Sequence, residues 1–356
     1  MLTVLNVAHP FAPVSREALG GPEQILAAID EALVEAGHRS LVIACRGSSV
    51  AGELLALEPV AGTLDDASRR RSWEAYKASI SELLKQRSVD IVHLHGADAA
   101  EYLPETRTPT ILTLHFPLKS YPKALLRSRP GLYLTCVSAP QRQNCGSDVS
   151  VHATIENGVD LDRFKSSSGS PAGFALCLGR ICPEKGIDIA LRAARRGRMT
   201  MLLAGSVLPD PEHERYLARE IAPLLDQRRR FIGSVTGAAK RKLMARARCV
   251  VITSRVEETS SLVAMEALAS GTPVVAFATG ALPSIVEHGK TGLIVQNEIE
   301  LAAAFSKVRG LDRALCRQRA EHRFDLRRTT AEYLALYGRL RKTAVGADVG
   351  VQPTPS

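Results

Sequence analysis

Residues 249–278 read CVVITSRVEETSSLVAMEALASGTPVVAFA. The run "CVVITS" is apolar, rich in Val and Ile, and of strand length, and "TPVVAFA" is a second such run. Between them lies a small-residue, apolar segment of helix length, headed by Thr259, Ser260 and Ser261, side chains that cap helix N-termini. Strand, helix and strand within ~30 residues is the parallel βαβ unit, whose sheet is covered on both faces. The same alternation continues outward. "FALCLGR", "TMLLAG", "RFIGSV" and "TGLIV" read as strands, and "GIDIALRAARR", "HERYLAREIAPLL" and "AAKRKLMARAR" as helices.

The first half has the same rhythm. "LTVLNVA", "SLVIAC", "DIVHLHG", "TPTILTLHFP" and "LYLTCVS" are strand-like, while "GGPEQILAAIDEALVEAG" and "WEAYKASISELLKQR" are helical. In the first helix Ile25, Ile29, Ala32 and Ala36 share a face, and Gly37 closes it. The sequence therefore predicts an α/β protein of two doubly wound, Rossmann-like domains with a crevice between them. The expected bounds are 1–165 and 166–328, with a linker in "FKSSSGSPAG" (164–173), a terminal helix at 329–343 and a disordered tail at 344–356.

Composition bounds the function. Of 356 residues, 45% are hydrophobic and 23% charged, as in soluble globular domains. No apolar run reaches the ~20 residues of a membrane span, and "MLTVLNVAHPFAP" reads as a first strand rather than a signal peptide. Seven irregularly spaced cysteines form no disulfide framework and no paired zinc motif, which points to reduced thiols in the cytoplasm. Residues 1–165 hold 17 Lys+Arg and 19 Asp+Glu, whereas the remainder holds 29 and 18, so the net charge of +9 sits in the second half. Such charge suits anions in general, and a solvated face accounts for runs such as "DQRRRF". Aromatic residues are only 4%, too few for the stacking platforms of a nucleic-acid binder.

Glu258 and Glu266, eight positions apart, are the chemically informative pair. A hydrolytic acid and base must face one bond from opposite sides, which two side chains on one element do not easily do. Placed at a strand-to-helix turn on the carboxyl edge of a parallel sheet, they flank a helix N-terminus suited to phosphate. Along a continuous helix they stand about 12 Å apart. That separation fits an extended ligand with one sugar on each side of a diphosphate. Upstream, "LGRICPEKG" sets Arg180 and Lys185 in the loop after another strand, a fork and a point charge suited to that diphosphate.

Together, "GRICPEKG", "FIGSV", "EETSSLVAMEALASGTPVVA" and "GLIV" resemble the retaining nucleotide-sugar glycosyltransferases of family 4, which have the GT-B fold. The glycine pair Gly20-Gly21, "DIVHLHG" and "ENGVDLDRF" extend the resemblance over roughly residues 1–340. It implies that Glu258 contacts the donor sugar and Glu266 the ribose, that Arg180 and Lys185 hold the diphosphate, and that backbone near Val235 holds the base. It further implies that Gly20 and Gly21 let a loop close over the phosphates, and that the terminal helix packs back on the first domain. Where the family usually carries glycines, this chain has Thr259, Ser260, Ser261 and Leu262; their side chains narrow the approach, and their hydroxyls can donate hydrogen bonds. The resemblance also sets His115, at a strand end in "TLHFP", beside the donor sugar.

The expected reaction is transfer of a sugar from a UDP- or GDP-sugar to an undefined acceptor with retention of configuration. The expected cofactor list is empty, with no metal required. His93-x-His95 shares a strand face but lacks a carboxylate or thiol at ligand spacing. A sugar-nucleotide epimerase or a non-catalytic nucleotide-sugar binder remains the alternative on the same fold. A dinucleotide-dependent dehydrogenase is disfavoured, because the first loop lacks G-x-G-x-x-G. The basic start of "SRRRSWEAYKASISELLKQR" and its Trp73 leave open a peripheral contact with an anionic membrane.

Overall fold

A computed structural model describes residues 1–60, 64–166 and 171–349. It resolves into two compact units, Met1–Glu156 with the chain from Arg328 onward, and Asn157–Arg327. The first unit carries seven strands: β1 (Thr3–Val7), β2 (Arg39–Cys45), β3 (Glu53–Leu57), β4 (Ile91–Leu94), β5 (Thr110–Leu114), β6 (Leu132–Cys136) and β7 (Val151–Thr154). The second carries six: β8 (Phe174–Leu178), β9 (Thr200–Ala204), β10 (Arg229–Phe231), β11 (Cys249–Ile252), β12 (Val274–Phe277) and β13 (Gly292–Val295). Their orders are β3-β2-β1-β4-β5-β6-β7 and β10-β9-β8-β11-β12-β13. Every strand pairing is parallel, with Val4 opposite both Ser40 and Ile91, and Val250 opposite both Leu176 and Val274.

Both faces of the second sheet are dry. Leu176, Leu202, Val250 and Val274 enter one buried cluster, with Ala264, Met265 and Leu268 of the helix Leu262–Ala269. Ala175, Cys177, Met201, Leu203, Val251 and Val275 enter the other, with Ile187, Ala190, Leu191 and Ala194 of the helix Ile187–Arg196. Period-two alternation within strands that are apolar throughout separates these two layers. The buried face of the helix Gly21–Glu35 runs through Ile25, Leu26, Ile29 and Leu33. Ala32 is half-buried and Ala36 exposed, so the expected face is rotated toward the leucines.

The unit boundaries differ from those expected. Val159, Leu161 and Phe164 are buried in the second unit's core, and Val159 N–H donates to Phe324 O at 2.8 Å, which moves the boundary back to Glu156. The terminal helix spans Leu326–Val349, so residues 344–349 are helical rather than a disordered tail. Residues 167–170 of the expected linker and 350–356 of the expected tail lie outside the described residues. From Arg328 the helix belongs to the first unit, where the Tyr337 hydroxyl lies 2.7 Å from His93 Nδ1 and the Tyr333 hydroxyl 3.1 Å from Thr113 Oγ1. All seven cysteines are free, and among the described residues no helix is long and apolar enough to cross a membrane.

Candidate functional site

Beyond the carboxyl ends of β8 and β11, the second unit gathers most of the residues singled out from the sequence. The chain leaves β8 through Gly179, Arg180, Ile181 and Cys182 into a single 3-10 turn, Pro183–Lys185, closed by Gly186 at φ 59°. Only glycine fits there. A β-carbon at Gly186 would stand 2.2 Å from Thr253 O, just past the end of β11. Thr253 Oγ1 donates to Gly186 O at 2.8 Å, and Arg255 N–H donates to Glu184 O at 2.7 Å, so the two loops are stitched together.

That stitching delivers Lys185 to Glu258. Lys185 Nζ lies 2.6 Å from Glu258 Oε1, and Ser254 Oγ donates to the same oxygen at 2.7 Å. Glu258 is 12% exposed at its side chain and Lys185 29%, so the pair opens to solvent on the lysine side. Its backbone is pinned as well. Ala281 N–H donates to Glu258 O at 2.7 Å, and Gly280, at φ 53°, packs so closely that a β-carbon would meet that oxygen at 2.2 Å. Arg180 is exposed and meets neither acid.

The second acid sits in a different environment. The helix begins only at Leu262, with Ser261 as N-cap accepting Ala264 N–H at 3.4 Å. Glu258 therefore precedes the helix by four residues, and the 12 Å spacing expected for a continuous helix does not apply. Glu266 is 1% exposed; its Oε1 accepts from Lys240 Nζ at 2.6 Å, while Oε2 is buried with no hydrogen-bond partner. Burial raises its carboxyl above the usual range, against the opposing pull of Lys240 and Arg241. A buried carboxylate oxygen without a donor is costly and marks a place where a hydroxyl can be received. Ser260 Oγ is likewise buried without a partner. Val235 is half-buried against the same core cluster.

Lys240, on the helix Gly237–Arg246, was not singled out from the sequence. In "AAKRKLMARAR" it is one basic residue among several, and only packing shows which one turns inward, 5.7 Å from the Phe164 ring centroid. Ser254 was missed for a similar reason, since its role rests on a contact four residues ahead.

The remaining candidates lie in the first unit. Gly20 caps the helix Gly21–Glu35, and a β-carbon there would stand 1.9 Å from Glu23 Oε2. His115 follows β5, is buried, and stacks on His95 with ring centroids 5.3 Å apart. Burial lowers the His115 imidazole to about 3 and those of His93 and His95 well below the usual histidine value, so all three are neutral near pH 7. His93 uses both ring nitrogens, toward Tyr337 and Thr113 hydroxyls at 2.7 Å each. The His93-x-His95 pair is thus a buried polar stack. Among the described residues, the one cluster with metal-ligand chemistry lies elsewhere, at Cys182, Glu184 and His213.

The known proteins that this chain resembles are glycosyltransferases. Residues 19–163 match the family described as Glycosyltransferase Family 4, and residues 173–309 match Glycosyl transferases group 1. A D-inositol 3-phosphate glycosyltransferase of Catenulispora acidiphila is 33% identical over 230 residues, covering 57% of this chain and 51% of that one. One from Saccharomonospora viridis is 36% identical over 214 residues, covering 52% and 49%. The chain thus spans about half the length of these curated relatives. Among solved structures, AviGT4, a glycosyltransferase involved in avilamycin A biosynthesis, superposes with TM-score 0.69 at 25% identity, covering 96% of this chain and 98% of that one. Anabaena HepE, solved with UDP and glucose, gives TM-score 0.72 at 20% identity, covering 95% and 100%.

Proposed function

Since the chain belongs to the family-4 glycosyltransferases and has the GT-B fold, we propose that it transfers a sugar from a nucleoside diphosphate sugar to an acceptor, with retention of configuration. The observation that carries the reading is the unlike pair of acids. Glu266 offers a desolvated, donor-free oxygen, and Glu258 a carboxylate held from two sides by Lys185 and Ser254. A desolvated acceptor suits the 2′- and 3′-hydroxyls of a ribose, because a hydroxyl donor satisfies Oε2 at no cost in exposed charge. A pinned, partly open carboxylate suits the hydroxyls of the transferred sugar.

Lys185 can serve two partners. Its ammonium has three donors, and one goes to Glu258, which leaves the others for a phosphate oxygen. Arg180, exposed in the same loop, supplies a second cation. The turn at Thr259–Leu262 adds the N-terminal end of the helix Leu262–Ala269, whose dipole favours an anion. As the glycosidic bond breaks, negative charge builds on the departing diphosphate, and these groups lower the barrier by being in place beforehand. The leaving phosphate then takes the acceptor's proton on the same face of the sugar. His115, buried and neutral near pH 7, is in this reading a hydrogen-bonding group rather than an acid.

Neighbours of this fold have been solved with UDP and UDP-glucose, so the donor is proposed to be a UDP- or GDP-sugar. The acceptor and a peripheral membrane station are finer parts of the proposal. Trp73 is turned inward and donates to Asp98 Oδ2 at 2.6 Å, so any contact with an anionic surface falls to the exposed Arg70 and Arg71. Seven free thiols support a reducing, cytoplasmic setting. The test is a thermal-shift screen of the full chain against UDP-, GDP- and ADP-sugars, followed by assay of released nucleoside diphosphate. Stabilisation by one donor, and loss of turnover in Glu258→Ala with donor binding kept, is the expected result. No shift with any donor, or normal turnover in that variant, overturns it.

A further inference from the structure

Outside the groups just described, one cluster has chemistry that the transfer reaction does not use. Cys182 Sγ, a carboxylate oxygen of Glu184 and one ring nitrogen of His213 all lie within 4.8 Å of one another. Two backbone segments bring them together. Cys182 and Glu184 sit in the loop after β8, and His213 in the helix Pro211–Tyr216 after the adjacent strand β9. Gly179 N–H donates to Ala204 O at 3.1 Å and Ile181 N–H to Ser206 O at 2.9 Å, which extends the β8–β9 ladder into the two loops. Asp210 caps the helix by accepting Glu212 N–H at 2.8 Å, which holds His213 in its first turn.

His213 supplies an independent observation. It is 9% exposed, and its Nδ1 is buried without a hydrogen-bond partner. An imidazole left so in a folded core is waiting for something to bind. A nucleophilic role for the neighbouring thiol is excluded by access, because Cys182 is fully buried. Glu184 is exposed and gives a small ion a way in.

We propose that Cys182, Glu184 and His213 form a three-ligand site for a divalent transition ion, zinc by preference. Thiolate, imidazole and carboxylate are the donor types zinc takes, at roughly 2.3, 2.0 and 2.1 Å. Tetrahedral bonds of those lengths place the donors about 3.3–3.6 Å apart, so the 4.8 Å cluster closes on an ion by side-chain rotation. The sulfur selects against magnesium and calcium, which prefer oxygen alone. Three protein donors leave the fourth position to water. Arg180, whose charge both Cys182 and Glu184 feel, is exposed and can swing clear of an incoming cation. The bound ion would clamp the loop carrying Arg180 and Lys185 to the segment after β9, and so stiffen the proposed diphosphate grip without touching the reacting atoms.

The experiment titrates cobalt, then zinc, into the chelator-treated full chain and needs no transferase assay, so it stands or falls separately from the proposed activity. Expected are about one cobalt per chain, a near-ultraviolet thiolate-to-cobalt band, and its displacement by zinc. Cys182→Ser should abolish the band, and His213→Ala and Glu184→Gln should each weaken zinc affinity by about tenfold or more. No band in the wild-type chain overturns the site, as does a band that survives Cys182→Ser, since six other cysteines could then be its source. If Cys182→Ser does not fold, Glu184→Gln decides, because its exposed carboxylate supports no core packing; unchanged zinc affinity in that variant overturns the site.

Discussion

Replacing Lys240 with methionine isolates the physical state of Glu266. The substitution keeps an unbranched apolar side chain over the Phe164 ring and removes the ammonium 2.6 Å from Glu266 Oε1. The carboxyl, already raised by burial, then loses the group that most opposes that rise. Its pKa should rise further, toward the protonated form at neutral pH. Relative to an ordinary carboxyl at 4.5, a group that stays protonated at pH 7 costs at most roughly 3 kcal/mol. This caps the electrostatic penalty, at the lower end of what removing one partner of a buried pair costs. The sign follows from the raised folded value. The penalty is absent below the unfolded value near 4.5, where the unfolded chain is protonated too, and grows as pH rises. Urea unfolding of the full chain at about pH 5 and about pH 7 measures it. Lys240→Met should lose up to about 3 kcal/mol at the higher pH, less the part the raised wild-type carboxyl already costs, and under 1 at the lower, and Lys240→Met/Glu266→Gln should recover most of the loss. A deficit independent of pH, or a double variant as weak as the single one, refutes the argument.

Three further outcomes are expected. Lys185→Ala should weaken donor binding, measured by titration calorimetry, by about 1.5–3 kcal/mol, the value of a charge-assisted contact. Gly280→Ala combines a left-handed φ with a β-carbon 2.2 Å from Glu258 O, so it should displace Glu258; turnover should fall at least ~10-fold while the circular dichroism spectrum is kept. The neutral histidines should make the fold acid-sensitive. Their folded values lie below the usual 6.5, so stability is complete above 6.5 and is lost as pH falls, for His115 down to about 3. Each contributes a slope of about 1.4 kcal/mol per pH unit, and His115→Phe should remove one such slope from the unfolding free energy.

Periodicity read from the chain located the principal strands and helices, because buried parallel strands are apolar along their length and need no partner to be recognised. The edge strands β3 and β7 escaped notice. β3, ELLAL, is apolar, but five residues without alternation do not tell strand from helix, while β7, VHAT, is four residues long with two of them exposed. Within the site, Glu258, Glu266, Arg180 and Lys185 could be picked out because charged side chains in apolar or glycine-bearing loops stand out locally.

Which cation meets which acid could not be read that way. Lys185 joins Glu258 across 73 positions, Lys240 joins Glu266 across 26, and His213 reaches the Cys182 loop only through the β8–β9 pairing. Local composition dictates where a backbone folds back and which residues leave water. The pairing of charges is decided by packing between distant segments, where desolvation makes each buried carboxylate depend on one particular neighbour.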